Sequence, residues 1–262
     1  MSAIDAHIHL DMYNEASAKS IIADLEASQV QALIVVSRHL DSCKATQQLK
    51  SLAPDRIFAA YGFHPEQELP TETQVETLIG WMSEHVSEMV AVGEIGLPYY
   101  SRHEVEEAGK AFDVAPYIQL LERFLQLAAQ WDKPVVLHAV YEDAEIVCDL
   151  LAKYGLKRAH FHWFKGPSQT VERMIEAGYV ISITPDVLYE DEIRTLVRKY
   201  PLELMMVETD GPWPFEGPFA CEETHPRMIH EVIGQIADLK GKSVQDTAAI
   251  LLQNTCRFYQ LS

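Results

Sequence analysis

The 262-residue chain is 48% hydrophobic and carries 21 Lys and Arg against 39 Asp and Glu, a formal net charge of −18. That length and apolar content suit one domain with a sizeable core. The charge argues against a surface that collects polyanions by overall attraction, so a nucleic acid would have to be held by metal ions and a few local cations; solubility alone is the other reading of the acidity.

No run of about 18 apolar residues occurs, and Asp5 and His7 stand where a leader would place a basic and then an apolar segment. A cytosolic location without membrane contact is therefore expected, and no obligate protein partner is indicated. Cys43, Cys148, Cys221 and Cys256 are far apart and form no Cys-x-x-Cys pair, which reads as buried free thiols.

Eight short runs rich in Val, Ile, Leu and Ala, at residues 4–9, 32–36, 57–62, 90–94, 134–138, 158–162, 179–183 and 204–208, are bounded by turn signals. Strands buried on both faces look like this. Amphipathic stretches lie between them, among them 16–28, 75–86, 118–131, 144–154 and 168–177. The alternation predicts a parallel sheet with right-handed crossovers, and eight such units can close into a (β/α)8 TIM barrel spanning residues 1–262 as one domain. Two connections, 98–116 and 211–226, are long enough to be lids or binding loops.

In that fold the chemistry gathers at the C-terminal ends of the strands, and here those ends carry imidazoles and acids. His7 and His9 alternate along the first strand, so both rings can face one ion while Asp5 orients a ring or supports the turn; a pair of exposed strand-end histidines is the alternative. His64 follows Gly62-Phe63 after the third strand, placed to touch substrate or to serve only as a turn residue. Glu94 lies between Gly93 and Gly96, and a buried carboxylate there must be neutralised, by bridging two cations or by a salt bridge. His138 and His162 end the fifth and sixth strands as candidates for a second ion, whereas His160, one layer deeper, reads as a packed supporting residue. After the eighth strand, Asp210 can ligate the first ion and accept a proton from water, with Glu208 as a second carboxylate that orients the water or relays the proton. Capping acids before a Pro-rich turn are the plainer reading of both.

Taken together, the His-x-His opening, Gly62-Phe63-His64-Pro65, Gly93-Glu94-Ile95-Gly96-Leu97, Pro134-Val135-Val136-Leu137-His138, His162-x-Phe164-x-Gly166, Glu208-Thr209-Asp210-x-Pro212 and Asn254-Thr255-x-Arg257-Phe258 resemble the TatD family of metal-dependent hydrolases, many of them deoxyribonucleases. The motifs fall in family order over nearly the whole chain. The resemblance implies a TIM barrel of the metallo-dependent hydrolase type, with one or two divalent ions. His7, His9, Glu94 and Asp210 would hold one, and Glu94, His138 and His162 the other. Glu208 and His64 would serve catalysis or substrate contact. The chain departs from the family pattern at Pro98, where an acid is usual, at Ala139-Val140, where Ser-Arg is usual, and at Thr224-His225-Pro226, where Asn-Glu-Pro is usual. No metal ligand is lost, but the pocket that reads the substrate is altered.

Arg38, His39, Arg102, His103 and Lys165 are the nearest basic residues that can replace the missing arginine, with Arg38 and Lys165 the chosen substrate contacts beside His64. Trp213, Phe215 and Phe219 can stack on a base or pack over the barrel end. The expected activity is hydrolysis of a phosphodiester in DNA or a small nucleotide by metal-activated water, with Zn, Mn, Mg, Co or Ni all compatible with the donors. The alternative is an amidohydrolase-like enzyme acting on a carboxylic ester, lactone or amide. A non-catalytic barrel has the least support, since the ligand set is intact.

Overall fold

The computed structural model describes residues 2–261; Met1 and Ser262, the ends of the expected domain, lie outside them. Strands β1 (Ala3–Ile8), β2 (Val30–Val36), β3 (Ile57–Tyr61), β4 (Met89–Gly96), β5 (Val135–His138), β6 (Ala159–Phe161), β7 (Val180–Ile183) and β8 (Met205–Val207) form one sheet in chain order. All neighbours pair in parallel. The expected (β/α)8 TIM barrel is the observed fold.

Among the described residues ten α-helices lie between and after these strands: α1 (Glu15–Asp24), α2 (Leu40–Leu52), α3 (Glu72–Glu84), α4 (Tyr99–Glu107), α5 (Ala115–Gln130), α6 (Asp143–Tyr154), α7 (Ser168–Ala177), α8 (Asp191–Lys199), α9 (Ile229–Lys240) and α10 (Val244–Tyr259). Their starts follow local chemistry. Asn14 and Ser243 accept backbone N–H groups at the heads of α1 and α10, and Thr71 with Gln74 makes a reciprocal capping box on α3, each cap worth about 1 kcal/mol. The segment 98–116 differs from the expected long loop, because α4 fills its first half. Pro98 precedes that helix at a position where its missing N–H costs nothing.

Two apolar layers hold the barrel. The larger lies between strands and helices and includes Leu33, Val35, Leu121, Phe124, Leu151 and Ile233. The smaller joins Ile4, Ile34, Ala60, Ala91, Val136, Val180 and Met206 with Phe258 and Tyr259 of α10. Since its members come from strands all round the sheet, this layer fills the interior below the mouth, and α10 plugs its lower end.

β8 and β1 meet beyond the end of β8. The Asp210 N–H donates to the His7 carbonyl (2.9 Å) and the His9 N–H to the Gly211 carbonyl (2.8 Å). Asp5 adds a clasp: its fully buried carboxylate accepts from the Thr209 N–H (3.0 Å) and hydroxyl (2.5 Å) and the His7 N–H (3.3 Å). Of the two roles expected for Asp5, the geometry gives it the turn and no imidazole ring. Burial pushes this carboxyl up to about 7 even against those hydrogen bonds.

Two of the four thiols are buried as expected, Cys43 and Cys148. Cys256 is half-buried and Cys221 exposed, the latter in the Pro-rich loop after β8 and not in a packed helix. No helix among the described residues is long and apolar enough to cross a membrane.

Candidate metal centre

His7, His9, His64, Glu94, His138, His162 and Asp210 converge in one cup at the C-terminal end of the barrel, and all but His64 are buried. Glu94 is its centre. Strand β4 is pressed hard onto β5 here: a Cβ at Gly93 would stand 2.6 Å from Val136 Cβ, and one at Gly96 would stand 1.9 Å from the His138 carbonyl. Only glycine permits that approach.

The two oxygens of Glu94 serve different neighbours. Oε2 lies 3.1 Å from His7 Nε2 and 3.2 Å from His9 Nε2, and both rings are 3.3–3.5 Å from Asp210 Oδ1. Oε1 lies 2.7 Å from His162 Nε2 and 3.1 Å from His138 Nδ1, and those two nitrogens are 3.2 Å apart. A carboxylate shared in this way between two nitrogen-rich sets offers one oxygen to each of them, as a residue able to bridge two cations must.

The donors fit such ions. Ligand atoms at roughly 2.0–2.1 Å from one tetrahedral zinc stand about 3.4 Å apart, close to the separations in both sets. His7 Nε2, Glu94 Oε2 and Asp210 Oδ1 are buried and lack any hydrogen-bond partner in the protein, a costly arrangement unless something else satisfies them. Charge points the same way. Burial would raise the Glu94 and Asp210 carboxyls, yet the facing imidazoles hold both below the usual range. Burial would likewise depress the imidazoles, but Glu94 and Asp210 lift His7 to about 9, Glu66 and then Glu94 raise His138, and Glu94 with Glu208 raises His162. The cluster thus calls for positive charge, and a divalent cation meets that need when the rings give up their protons.

Around the ligands is a layer that holds them. His138 Nε2 lies 3.2 Å from Glu66 Oε1, so its ring turns Nδ1 inward. Burial favours the neutral Glu66 acid, but the His138 ring and the Ser101 donors outweigh it and bring its pKa to about 2. His64 Nδ1 accepts the Glu66 N–H (3.1 Å), which leaves Nε2 as the protonated nitrogen, 3.2 Å from Glu94 Oε1. Burial lowers the His64 pKa, keeping that ring neutral.

Glu208 stands behind His162. Its Oε1 accepts the Trp163 N–H (2.7 Å) and is 3.8 Å from His162 Nδ1, while Oε2 accepts the Ser182 hydroxyl (2.5 Å). It is fully buried, with both oxygens occupied, and sits on the far side of the ring from Glu94. His160 bonds Tyr259 and Ser182, the packed role expected of it.

At the rim the expected cations are already engaged. Arg38 is 3.7 Å from Asp11, Lys165 is 3.7 Å from Asp186, and Arg102 is buried with Asp143 (2.7 Å) and Glu142 (2.8 Å). His39 caps α2, and His103 faces Glu142. Arg102 is therefore a structural ion pair and no free anion contact, because α4 carries it inward onto α6. Phe215 and Phe219 pack with Met228 against Trp163 and Tyr189; Trp213 alone of the three stays open, at 59% exposure. Sequence reasoning passed over Glu66, Ser182 and the Asp5–Thr209 clasp. An acid directly after His64-Pro65 was the one available signal for the first.

A family profile described as TatD related DNase matches residues 4–260. An uncharacterized metal-dependent hydrolase of Haemophilus influenzae is 37% identical over 257 residues, covering 98% of this chain and 99% of its own. The human Deoxyribonuclease TATDN3 is 26% identical, over 98% of this chain and 94% of its own. The crystal structure of YJJV, a TatD homolog from Escherichia coli, superposes with a TM-score of 0.86 at 24% identity, covering 99% and 98% of the two chains. With the barrel, the convergent ligands and a profile match over almost its full length, this chain belongs to the TatD family of metal-dependent hydrolases.

Proposed function

We propose that this hydrolase cleaves phosphodiester bonds in a DNA strand or small nucleotide, with two divalent ions, one that His7, His9, Glu94 and Asp210 would hold and one that Glu94, His138 and His162 would hold. The observation that carries the reading is the division of the Glu94 oxygens between the His7–His9–Asp210 set and the His138–His162 set. The human relative named a deoxyribonuclease lends it support. When bound, such cations polarise the scissile group and offset the charge that develops on it. Asp210, at the lip of the cup, accepts the proton of the attacking water. His64 turns a neutral Nε2–H toward the centre, placed to donate to a substrate oxygen. Glu208 touches no substrate in this scheme; it keeps His162 in place. Arg38 and Lys165 approach the substrate only by loosening their 3.7 Å contacts with Asp11 and Asp186.

A second reading, hydrolysis of a neutral ester, lactone or amide, draws on that same pairing: Arg38, Arg102 and Lys165 each have a carboxylate within 4 Å. Protein loaded separately with Zn, Mn, Mg, Co and Ni should be tested on labelled oligodeoxynucleotides and small phosphodiesters beside a panel of lactones, esters and amides. Metal-dependent release of mononucleotides is expected. Turnover of acyl compounds with every phosphodiester left intact would replace the first reading by the second.

A further inference from the structure

Residue 66 contacts two of the centre's imidazoles and a helix at once. Its N–H donates to His64 Nδ1 at 3.1 Å. Its carboxylate lies 3.2 Å from His138 Nε2 through Oε1. The same carboxylate accepts the N–H groups of Tyr100 (2.8 Å) and Ser101 (2.8 Å) and the Ser101 hydroxyl (2.5 Å), so it also caps the first turn of α4. Pro98 offers no carboxylate at this corner of the barrel, and the loop after β3 brings one in from the neighbouring strand.

From this geometry we infer that Glu66 is the positioning residue of the second ion site, fixing His138 with Nδ1 toward Glu94 and fastening α4 to the metal centre. An ionised carboxylate only accepts, so the ring proton resides on Nε2 and the Nδ1 lone pair is free for a cation. Carboxylate–imidazole–metal relays of this kind orient the ring and raise its basicity. The clasp on α4 adds a second consequence. Tyr99 and Tyr100 ride on that helix, with the Tyr100 ring centred 6.0 Å from that of His138. One carboxylate thereby holds both the His138 ring and the first turn of α4.

The inference rests on the two-ion reading, and the test separates the two. Zinc binding to wild type, Glu66→Ala, Glu66→Gln and Ser101→Ala is measured by competition with a chromophoric chelator, with far-UV circular dichroism as the check on folding. In the zinc-loaded proteins, nitrogen-15 spectra report the protonated nitrogen of His138. Wild type should bind two ions. Glu66→Ala should weaken one of them about 10–100-fold, leave the other unchanged, and lose the His138 Nε2–H signal. Glu66→Gln, which keeps an acceptor without the charge, should fall between. Ser101→Ala removes one capping bond and should retain both ions. If wild type binds a single ion, the two-ion reading itself fails. If wild type binds two and Glu66→Ala does as well with equal affinity, Glu66 has no positioning role. A Glu66→Ala protein that loses both ions alike, or a Ser101→Ala protein that matches its loss, reduces Glu66 to a helix cap and overturns the inference.

Discussion

The cup and the rim of this barrel are opposite in their electrostatics. In the cup, Glu94 and Asp210 are buried beside imidazoles, and among the described ion pairs neither faces an arginine or lysine. At the rim, the basic side chains already have acids. The difference separates two demands. Only imidazoles offset the acids of the cup, a set of donors suited to cations, while the rim has little positive charge to spare for an anion. If the substrate is anionic, its charge is met chiefly by what the cup holds.

The largest effect should come from breaking the cup. Asp210→Asn removes the proton acceptor and a ligand charge together, and activity should fall by at least about 10²–10⁴-fold, the range for a general base. Chelation followed by dialysis should do the same to wild type and be reversed by added metal, whereas Asp210→Asn should stay inactive in excess metal. Next is Glu94→Gln. Because the two Glu94 oxygens face both sets, this substitution should weaken both ions, by more than the roughly 10–100-fold typical of an outer partner; metal analysis after gel filtration reads it directly. Retention of one tightly held ion would show that the bridge is not shared.

A third break lies between cup and rim. Arg102 is the only cation within 4 Å of the fully buried Asp143 among the described ion pairs, and Asp143 Oδ2 has no partner at all. Arg102→Met should cost about 3 kcal/mol in chemical denaturation, since removing one member of a buried pair strands the other. The sign with pH is definite. Burial already raises the Asp143 carboxyl, with Arg102 opposing that rise, so the variant's carboxyl rises further. Its deficit should be greatest at neutral pH and shrink as pH falls through that raised value and the acid becomes neutral. A deficit independent of pH would mean that packing, not charge, is lost.

The same contrast explains what could be read without coordinates. Ligand positions are fixed by strand ends, and strand ends are marked in the chain by apolar runs followed by His or an acid; His7, Glu94, His138 and Asp210 stand out for that reason. Glu94 lies inside β4, two residues before its end, yet the glycines beside it still signal the close approach. Partners of the rim were not legible. Arg102 meets Asp143 across 41 positions, and Glu66 meets His138 across 72. Periodicity carries no information about such pairings, because they depend on how α4 docks after the barrel has closed. Helix α4 itself was hidden by its composition: Tyr99–Glu107 is almost wholly polar or aromatic, with Arg102 its sole buried residue, so no apolar stripe announces it.

The smallest expected effect is at the rim and sharpens the comparison most. Arg38→Ala and Lys165→Ala each remove a side chain already 3.7 Å from an acid, so each should change kcat/KM on a short oligonucleotide by only a few-fold, with kcat nearly constant. With at most these two cations available, the dependence on salt should be shallow. A slope near −0.7 per contact on single strands predicts a loss of about sevenfold between 50 and 200 mM salt, against roughly 10³–10⁵-fold for a protein that makes 6–10 phosphate contacts with duplex DNA. A steep salt dependence that flattens in Lys165→Ala or Arg38→Ala would show that these ion pairs open on binding and that the rim, too, grips the anion. A shallow dependence unchanged in both variants would leave the ions in the cup as the main hold on the substrate, which is what a surface of net charge −18 requires of any phosphodiester it admits.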